Sequence, residues 1–538
     1  MHGDAAVADA TDIPVDDANR PPTLAERTES VVRLKEATLD EARPEATRRQ
    51  HDRGRLTARE RVARLVDPGS FTEIAQLARP DTQSPLMQGV DGPADGIVIG
   101  TALVDDRPVV VVSYDFSVLG GSMGYINDVK FGRARQIALR NGVPLVMLVE
   151  GSGARINERM GSGTIKGHER FSDLSLLSGW APIVAGVSGR AFAGHANLIA
   201  LSDFCVMTRG SSAGLAGPRL VEMATGERLT PEEIGDSSEH ASRLGSIDLE
   251  VDGDEAMLSA IRDYLSYLPT NCRAPAPVGP SPATQDDRLP DSVLTLVPDA
   301  PNRAYDMRRL VRMVLDEGQC LELKPTHARN VITCLGRVGG VPVGVVANNP
   351  MFLAGAIDTP GSHKMARFIN LCDCFDLPLV FLSDVPGYLV GRASEASGIV
   401  RASMRPLWEL GQATVPVLTV VVRKAFGLAY HTMGGAEFHP ELLVSWPGAQ
   451  ISPMGAEGAA NVILGSRGDV DPQRFKALVA EFKRLEDPVR AAESAKIDDV
   501  IDPRDTRKVL RSKLDFLRRT MHDSGHWRPP KKRGLAPI

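Results

Sequence analysis

Cysteine is sparse in this chain, with six among 538 residues, at positions 205, 272, 320, 334, 372 and 374. The one close pair, Cys372 and Cys374, falls one residue short of the C-x-x-C spacing of zinc and redox sites. The sequence therefore offers no metal site, and its thiols read as free and packed. Long apolar runs are also missing, since none approaches the roughly 18 residues of a membrane span. The opening stretch MHGDAAVADATDIPVDD is acidic and has no apolar centre, which argues against a secretory or mitochondrial leader and for a cytoplasmic protein. Positive charge is not in excess. With 62 Lys and Arg against 68 Asp and Glu, the net charge of −6 leaves no footprint for nucleic acid or an anionic membrane. Nucleotide signatures are absent as well: GSGTIKG at 161–167 has its third glycine one position late for G-x-G-x-x-G, and no G-x-x-x-x-G-K-[ST] occurs.

What the chain does have is a repeat. GVPLVMLVEGSG at 142–153 is an apolar run of branched residues that stops on an acid and two glycines, the pattern of a buried parallel strand under a ligand-facing loop. DLPLVFLSDVPG at 376–387 repeats it, with Pro144 matched to Pro378, Glu150 to Asp384 and Gly153 to Gly387, each 234 positions apart. The same offset lays PVVVVSY from Pro108 on PVGVVAN from Pro342. It also lays Gly121 on Gly355, Lys130 on Lys364, Pro182 on Pro416, and Ala191 and Phe192 on Ala425 and Phe426. No gap is needed from 108 to 192. Beyond that the register slips by four, Gly217 pairing with Gly455. The chain is thus two copies of one α/β unit, in a composition, 43% hydrophobic and 24% charged, that can bury large cores.

The organisation follows from the repeat. Residues 1–20 read as disordered, 21–270 as the first unit, 271–302 as a proline-rich extended linker, and 303–538 as the second unit. Helical charge patterning over 22–66 ends at the turn Asp67-Pro68-Gly69, and helical spacing returns from 504 until the basic cluster PPKKRG, a solvated end. Each unit alternates strand, glycine turn and helix, which implies a parallel sheet with crossover helices and a site at the carboxyl ends of its strands. Gly121, Gly153 and the 191–195 loop should gather on one rim, and Gly355, Gly387 and the 425–429 loop on a second. Gly210-Ser211-Ser212-Ala213-Gly214 matches the G-x-S-x-G nucleophile elbow, but its repeat partner PGAQISPMG does not. The small-residue turns AFAGH and AFGLA can present backbone amides to a developing oxyanion. Alternatively, their small residues only permit close packing of helix on sheet.

Several stretches carry a family resemblance: RQHDRGRLTARERVARLVDPGSFTEI (49–74), GGSMG (120–124), GSGARINE (151–158), GPRLVEMATGE (217–227), DVPGYLVGRASEASGIVR (384–401), RKAFGLAY (423–430), MGAEGAANVI (454–463), IDDVIDPRDTR (497–507) and PPKKRG (529–534). In this order they resemble the carboxyltransferase (β) subunit of biotin-dependent acyl-CoA carboxylases, of the propionyl-CoA and methylcrotonyl-CoA type. The resemblance implies a tandem repeat of two crotonase-like (ClpP/crotonase) domains. It also implies an enzyme that moves a carboxyl group from carboxybiotin, on a separate carrier protein, to the α carbon of an acyl-CoA. In such enzymes two backbone oxyanion holes hold the thioester oxygen and the biotin carbonyl, and the protein contributes mainly positioning and electrostatics. The chain has no biotin-attachment segment, so a biotin carboxylase and carrier partner is implied. So is a homo-oligomer, dimer or hexamer, with CoA on the first unit and biotin on the second unit of a neighbour.

Carried onto this sequence, the resemblance implies oxyanion donors at Ala193, Gly194, Leu428 and Ala429. It implies substrate contacts at Gly120, Gly121, Gly153, Ala154, Arg155, Gly387, Gly427 and His431. Some positions depart from the family. Ala193-Gly194-His195 and Gly427-Leu428-Ala429 each stand where Gly-Gly-Ala is common, His431 replaces an aspartate beside the acyl pocket, and Arg401-Ala402-Ser403 replaces Arg-His-Gly. Gly235 and His240 are kept, while Asp236 replaces a glycine and Asp248 a histidine. A histidine at 195 or 431 could titrate near neutral pH and take part in chemistry, although a lone loop histidine is commonly a hydrogen-bonded bystander. These departures leave the acyl group open. They also keep alternatives in view: a biotin-independent or reverse-running decarboxylase of a malonyl-type thioester, a serine hydrolase, or a non-catalytic assembly role.

Overall fold

The computed structural model describes residues 21–158, 170–282, 286–465 and 471–524. The first 20 residues, the GSGTIKG stretch and the PPKKRG cluster therefore lie outside the described residues.

Among the described residues sixteen strands form two sheets of eight. The first holds β1 (Thr72–Ile74), β2 (Ile97–Val104), β3 (Arg107–Tyr114), β4 (Leu145–Gly151), β5 (Ile183–Phe192), β6 (Phe204–Thr208), β7 (Ser212–Gly214) and β8 (Leu249–Val251), in the order β1-β2-β3-β4-β5-β6-β8 with β7 beside β5. The second holds β9 (Cys320–Leu323), β10 (Val331–Val338), β11 (Val341–Asn348), β12 (Leu379–Val385), β13 (Val417–Phe426), β14 (Leu442–Ser445), β15 (Gln450–Ser452) and β16 (Asp499–Val500), in the order β16-β14-β13-β12-β11-β10-β9 with β15 beside β13. Every pairing of one sheet recurs in the other with the same sense. The bulges recur too: the register shifts at Val149/Gly151 between β4 and β5, and at Ser383/Val385 between β12 and β13.

The repeat thus extends further than the matched apolar runs. β2 and β10, the helices Tyr125–Asn141 and Thr359–Cys374, and the bridges Met123↔Ala154 and Ile357↔Tyr388 all keep the 234-residue offset. The slip of four falls after β5 and β13, where β6 and β7 lie 238 positions before β14 and β15.

One expectation needs correcting, because the sheets are mixed and not wholly parallel. β2 pairs antiparallel with β3, and β10 with β11, through two-residue turns. Asp105 and Asp106 have φ of 49° and 60°, and Gly339 and Gly340 have φ of 61° and 82°. Two consecutive left-handed residues match the twist of a two-residue hairpin, and Asp and Gly are among the residues that tolerate it.

One apolar cluster fills the space between the sheets. It unites Val98, Val111, Leu148 and Phe204 of the first sheet, Leu258, Ile261 and Tyr264 of the helix Gly253–Tyr267, Phe368 and Ile369 of Thr359–Cys374, and Leu379 and Phe381 of the second sheet. The outer faces have cores of their own, around Phe131 and Ala138 on the first sheet and around Leu310 and Leu514 on the second. Residues 286–302 turn through the helix Val293–Leu296, burying Leu289, Val293 and Leu296 in the outer core of the second sheet. Ahead of the first sheet lie the helices Leu24–Glu36, Pro44–His51 and Ala58–Leu65, the first and third opened by capping boxes at Thr23 and Thr57. Among the described residues no helix is long and apolar enough to cross a membrane.

Candidate active site

The first rim assembles as expected at the carboxyl ends of β3, β4 and β5. Gly121 has φ 61°, and a Cβ there would fall 2.2 Å from the Glu150 carbonyl oxygen, so the turn after β3 can press on the end of β4 only because the residue is glycine. Gly120 accepts the Ser152 amide at 3.2 Å. Met123 donates to the Gly153 carbonyl and Arg155 to the Met123 carbonyl, both at 2.8 Å, which zips Ala154 to Met123. Ala193 follows close by, its Cβ 3.0 Å from where a Cβ on Gly153 would stand.

At the end of β5 the chain turns into the helix Gly194–Ala200, capped by Ala193. The Ala193 amide, expected to face a ligand, donates instead to the Gly214 carbonyl of β7 at 2.9 Å. Gly194 and the next amides lie in the first helical turn, where no carbonyl of the helix can reach them. Beside Gly194 stand Met123 and the guanidinium of Arg170, 2.6 Å and 3.2 Å from a Cβ placed on that glycine. Arg170 is itself paired with Asp128. His195 lies wholly inside, and burial, with Arg170 adding to it, pushes its pKa down to about 3. It is neutral near pH 7 and does not titrate there.

The second rim has the same plan. Ile357 donates to the Gly387 carbonyl at 3.1 Å and Leu389 to the Ile357 carbonyl at 2.8 Å. The Tyr388 hydroxyl, 2.8 Å from Thr432 Oγ1, ties this loop to the helix Gly427–Thr432. Gly427 has φ 58°, Leu428 is exposed, Ala429 is buried, and His431 is half-buried, its Nδ1 without a partner among the described residues. Under each rim sits a buried acid. Glu150 accepts from Arg61 at 2.8 Å and from Arg55 and Gln50, each at 3.0 Å. Asp384 accepts from Arg423 at 2.9 Å and from the Lys424 amide at 3.2 Å, and burial still pushes its carboxyl above the usual range. The paired lysines are buried staples. Lys130 donates to the Ala94 and Ile97 carbonyls, and Lys364 to those of Lys324, His327 and Val331.

Other expected residues are engaged elsewhere. Arg155 is turned inward, its guanidinium held by Asp95 at 2.5 Å, Ser122 Oγ at 3.1 Å and the Ser122 carbonyl at 2.9 Å, so its side chain fastens the loop. Ser212 is buried in β7 with its Oγ meeting no partner among the described residues. The G-x-S-x-G stretch leads into a strand, not from strand to helix, which removes the nucleophile elbow. His240 contacts Ser246 and the Ala213 carbonyl, Asp236 caps the helix Ser237–Ala241, and Asp248 accepts from the Cys205 amide at 2.9 Å. Ala402 and Ser403 are buried on the helix Ile399–Gln412. Tyr114, Met123 and Arg170, which the sequence reading passed over, stand at the first rim. Tyr114 was visible as the last residue of the repeated strand, whereas Arg170 carries no local pattern.

Comparison with known proteins extends this geometry. The carboxyl transferase domain family matches residues 49–533. The chain is 35% identical over 536 residues to the biotin-dependent acetyl-/propionyl-coenzyme A carboxylase beta5 subunit of Mycobacterium tuberculosis (strain CDC 1551 / Oshkosh), covering 96% of each. To the propionyl-CoA carboxylase beta chain of Roseobacter denitrificans it is 38% identical over 473 residues, covering 87% of this chain and 92% of that one. In structure it is similar to the transcarboxylase 12S crystal structure, a hexamer with methylmalonyl-coenzyme A and methylmalonic acid bound. The TM-score is 0.88 at 34% identity, over 96% of this chain and 100% of that one.

Proposed function

This chain belongs to the carboxyl transferase domain family, and on that premise we propose that it is the carboxyltransferase subunit of a biotin-dependent acyl-CoA carboxylase. It acts on an acyl-CoA together with a biotin-carrying partner and assembles as a homo-oligomer. The observation that carries this reading is the duplicated turn: at 193–195 and again at 427–429 a buried strand of each sheet opens into a helix whose first amides lack partners within the helix.

Carboxybiotin on the carrier supplies the carboxyl group. The second turn fits its carbonyl acceptor, with amides at the head of Gly427–Thr432 beside an exposed Leu428 and with Gly387 on the neighbouring loop. At the first turn the thioester oxygen would gain negative charge as the α carbon gives up its proton, which the biotin ureido group left after loss of the carboxyl group would take. Donors preorganised toward that charge are worth about 3 to 4 kcal/mol each. Gly194 and its neighbour in the helical turn are the donors here, the Ala193 amide being already committed to Gly214, and the Arg170 cation stands alongside. Gly120, Gly121, Gly153 and Ala154 shape the rim through their backbone. Leu215, Met223, Val390 and Val400, all strongly exposed, suit burial between subunits. The transcarboxylase 12S, of the same fold, is a hexamer that forms a multienzyme core, and we carry a hexamer over to this chain.

The test is incubation with a carboxybiotin-loaded carrier and a panel of acyl-CoAs. The expected product is an α-carboxylated thioester of at least one of them. A loaded carrier that serves a known carboxyltransferase but transfers nothing with this protein would overturn the reading. Nothing among the relatives favours the reverse-running decarboxylase.

A further inference from the structure

One buried side chain touches all three loops of the first rim. His195 is fully buried, and its Nδ1 accepts the Gly153 amide at 3.2 Å. Its ring meets that of Tyr114, the last residue of β3, edge-on at 4.5 Å between centroids. It lies so close over Gly151 that a Cβ there would be 2.3 Å from Cε1 and Nε2, at a point 2.6 Å from the Gly121 carbonyl oxygen. Among the described residues its Nε2 meets no partner in good hydrogen-bond geometry, the Gly121 carbonyl being the backbone group beside it. Since Nδ1 accepts, the proton of the neutral ring is on Nε2.

The repeat supplies an internal comparison. At the same offset Tyr114 becomes Asn348 and His195 becomes Ala429. In the second unit Asn348 does the tying: its Nδ2 donates to the Gly355 carbonyl at 3.3 Å and its Oδ1 accepts the Asp384 amide at 3.1 Å. Each unit therefore has a buried polar side chain that clasps the loops beneath its rim. The first draws that group from the helix turn, and the second from the third strand of the repeat.

We propose that His195 is a positioning residue for carboxyl transfer: a neutral imidazole that clasps the Gly153 loop to the Gly194 turn and so sets where the thioester carbonyl meets its amide donors. This rests on the reading of that turn as the thioester site. The His195 ring carries no proton in the reaction and stands inside the wall of the site, while only the backbone of the turn faces it.

The experiment compares His195→Ala and His195→Asn with the wild type in two readouts. One is kcat and KM for acyl-CoA and for the biotin carrier. The other is hydrogen exchange of the peptide spanning 151–158, which needs no activity. His195→Ala is expected to lower kcat about tenfold or more, as small misplacements of a reacting group do. It should leave KM for the carrier unchanged and speed exchange in the peptide. His195→Asn, whose Oδ1 can take the place of Nδ1, is expected to restore most of both, with the wild-type shape of the pH profile. Wild-type kcat and exchange in His195→Ala overturn the proposal. So does a pH limb that vanishes in His195→Asn, because that would make the ring a proton carrier. If His195→Ala does not fold, Tyr114→Asn combined with His195→Ala reproduces the pair of the second unit and is expected to keep kcat within about fivefold; a hundredfold loss with native exchange would also overturn the clasp. A wild type that transfers no carboxyl group defeats the functional reading instead, and the exchange readout then still decides the clasp.

Discussion

At Ala193 the backbone adopts φ 52° and ψ −117°, the first corner of a type II′ turn, where a Cβ is crowded and glycine is usual. Gly427 holds the equivalent place in the second unit without a side chain. The strain serves the site, because this turn aims the next amides at the rim. Ala193→Gly should therefore stabilise the protein by about 1 kcal/mol while leaving transfer nearly unchanged. Denaturant midpoints measure this, and a lower midpoint for the variant would show that Ala193 is not strained. His431 raises a question of selectivity. It follows Leu428 by three residues on the same short helix, so the two side chains share a face. If that face borders the acyl chain, His431→Asp should shift relative kcat/KM across acyl-CoAs of different length by about tenfold, the worth of one methylene of fit. An equal loss for every substrate would give the ring a chemical role, and an unchanged ratio at full activity would remove it from the pocket.

Each central strand ends on a buried carboxylate, and a carboxylate out of water needs cations and donors around it. The two units meet that need with different elements. In the second unit Arg423, on β13, reaches Asp384 directly. Its repeat position in the first unit is Gly189, where a Cβ would stand 2.5 Å from the Arg55 guanidinium and 2.7 Å from Glu150. The missing side chain admits arginines from the helical segment ahead of the sheet. Arg61, on Ala58–Leu65, bridges Glu150 at 2.8 Å and Asp254 at 3.1 Å, and all three are buried. That bridge joins this helix, β4 and the helix Gly253–Tyr267 at one point. Arg61→Met keeps the bulk, takes the Arg61 cation from Asp254 and leaves Glu150 to Arg55 and Gln50, so a loss of about 3 kcal/mol is expected. A variant with an unaltered denaturation midpoint would show that Arg55 and Gln50 suffice.

Across the whole molecule, the two sheets share the apolar cluster between them and a polar seam around it. Lys324 faces Asp248 at 3.6 Å, Arg367 donates to the Ser202 carbonyl at 2.9 Å, and Arg337 to the Ser266 carbonyl at 2.7 Å. Residues 1–270 alone would lose the second unit's share of that cluster, Phe368, Ile369, Leu379 and Phe381 among it, and leave the apolar face that meets it open to water. The isolated first half is therefore expected to bind CoA weakly at best, to transfer no carboxyl group, and to gain solubility when residues 271–538 are supplied. Separate halves that turn over without associating would show that the two turns do not form one working unit.

The repeat, its gapless span, the slip of four and the glycine rims were legible in the sequence. A buried strand must be continuously apolar, and a loop pressed against a neighbouring backbone must be glycine, so both leave local marks. The family was legible too, because its motifs recur in order along nearly the whole chain. Tertiary structure alone decided which polar groups those loops spend on one another. Nothing local to Ala193 says that its amide is taken by Gly214, nothing near Arg155 points to Asp95, and the burial that keeps His195 neutral comes from Tyr114, Gly121 and Gly151, all far away in the chain. The antiparallel hairpins had a signal in Asp105-Asp106 and Gly339-Gly340, which is easily passed over beside the longer apolar runs. Hydrophobic pattern is a property of neighbours in the chain, whereas hydrogen-bond partnership and desolvation are properties of neighbours in space. That is why the strands could be read from the sequence and the state of each group at the rim could not.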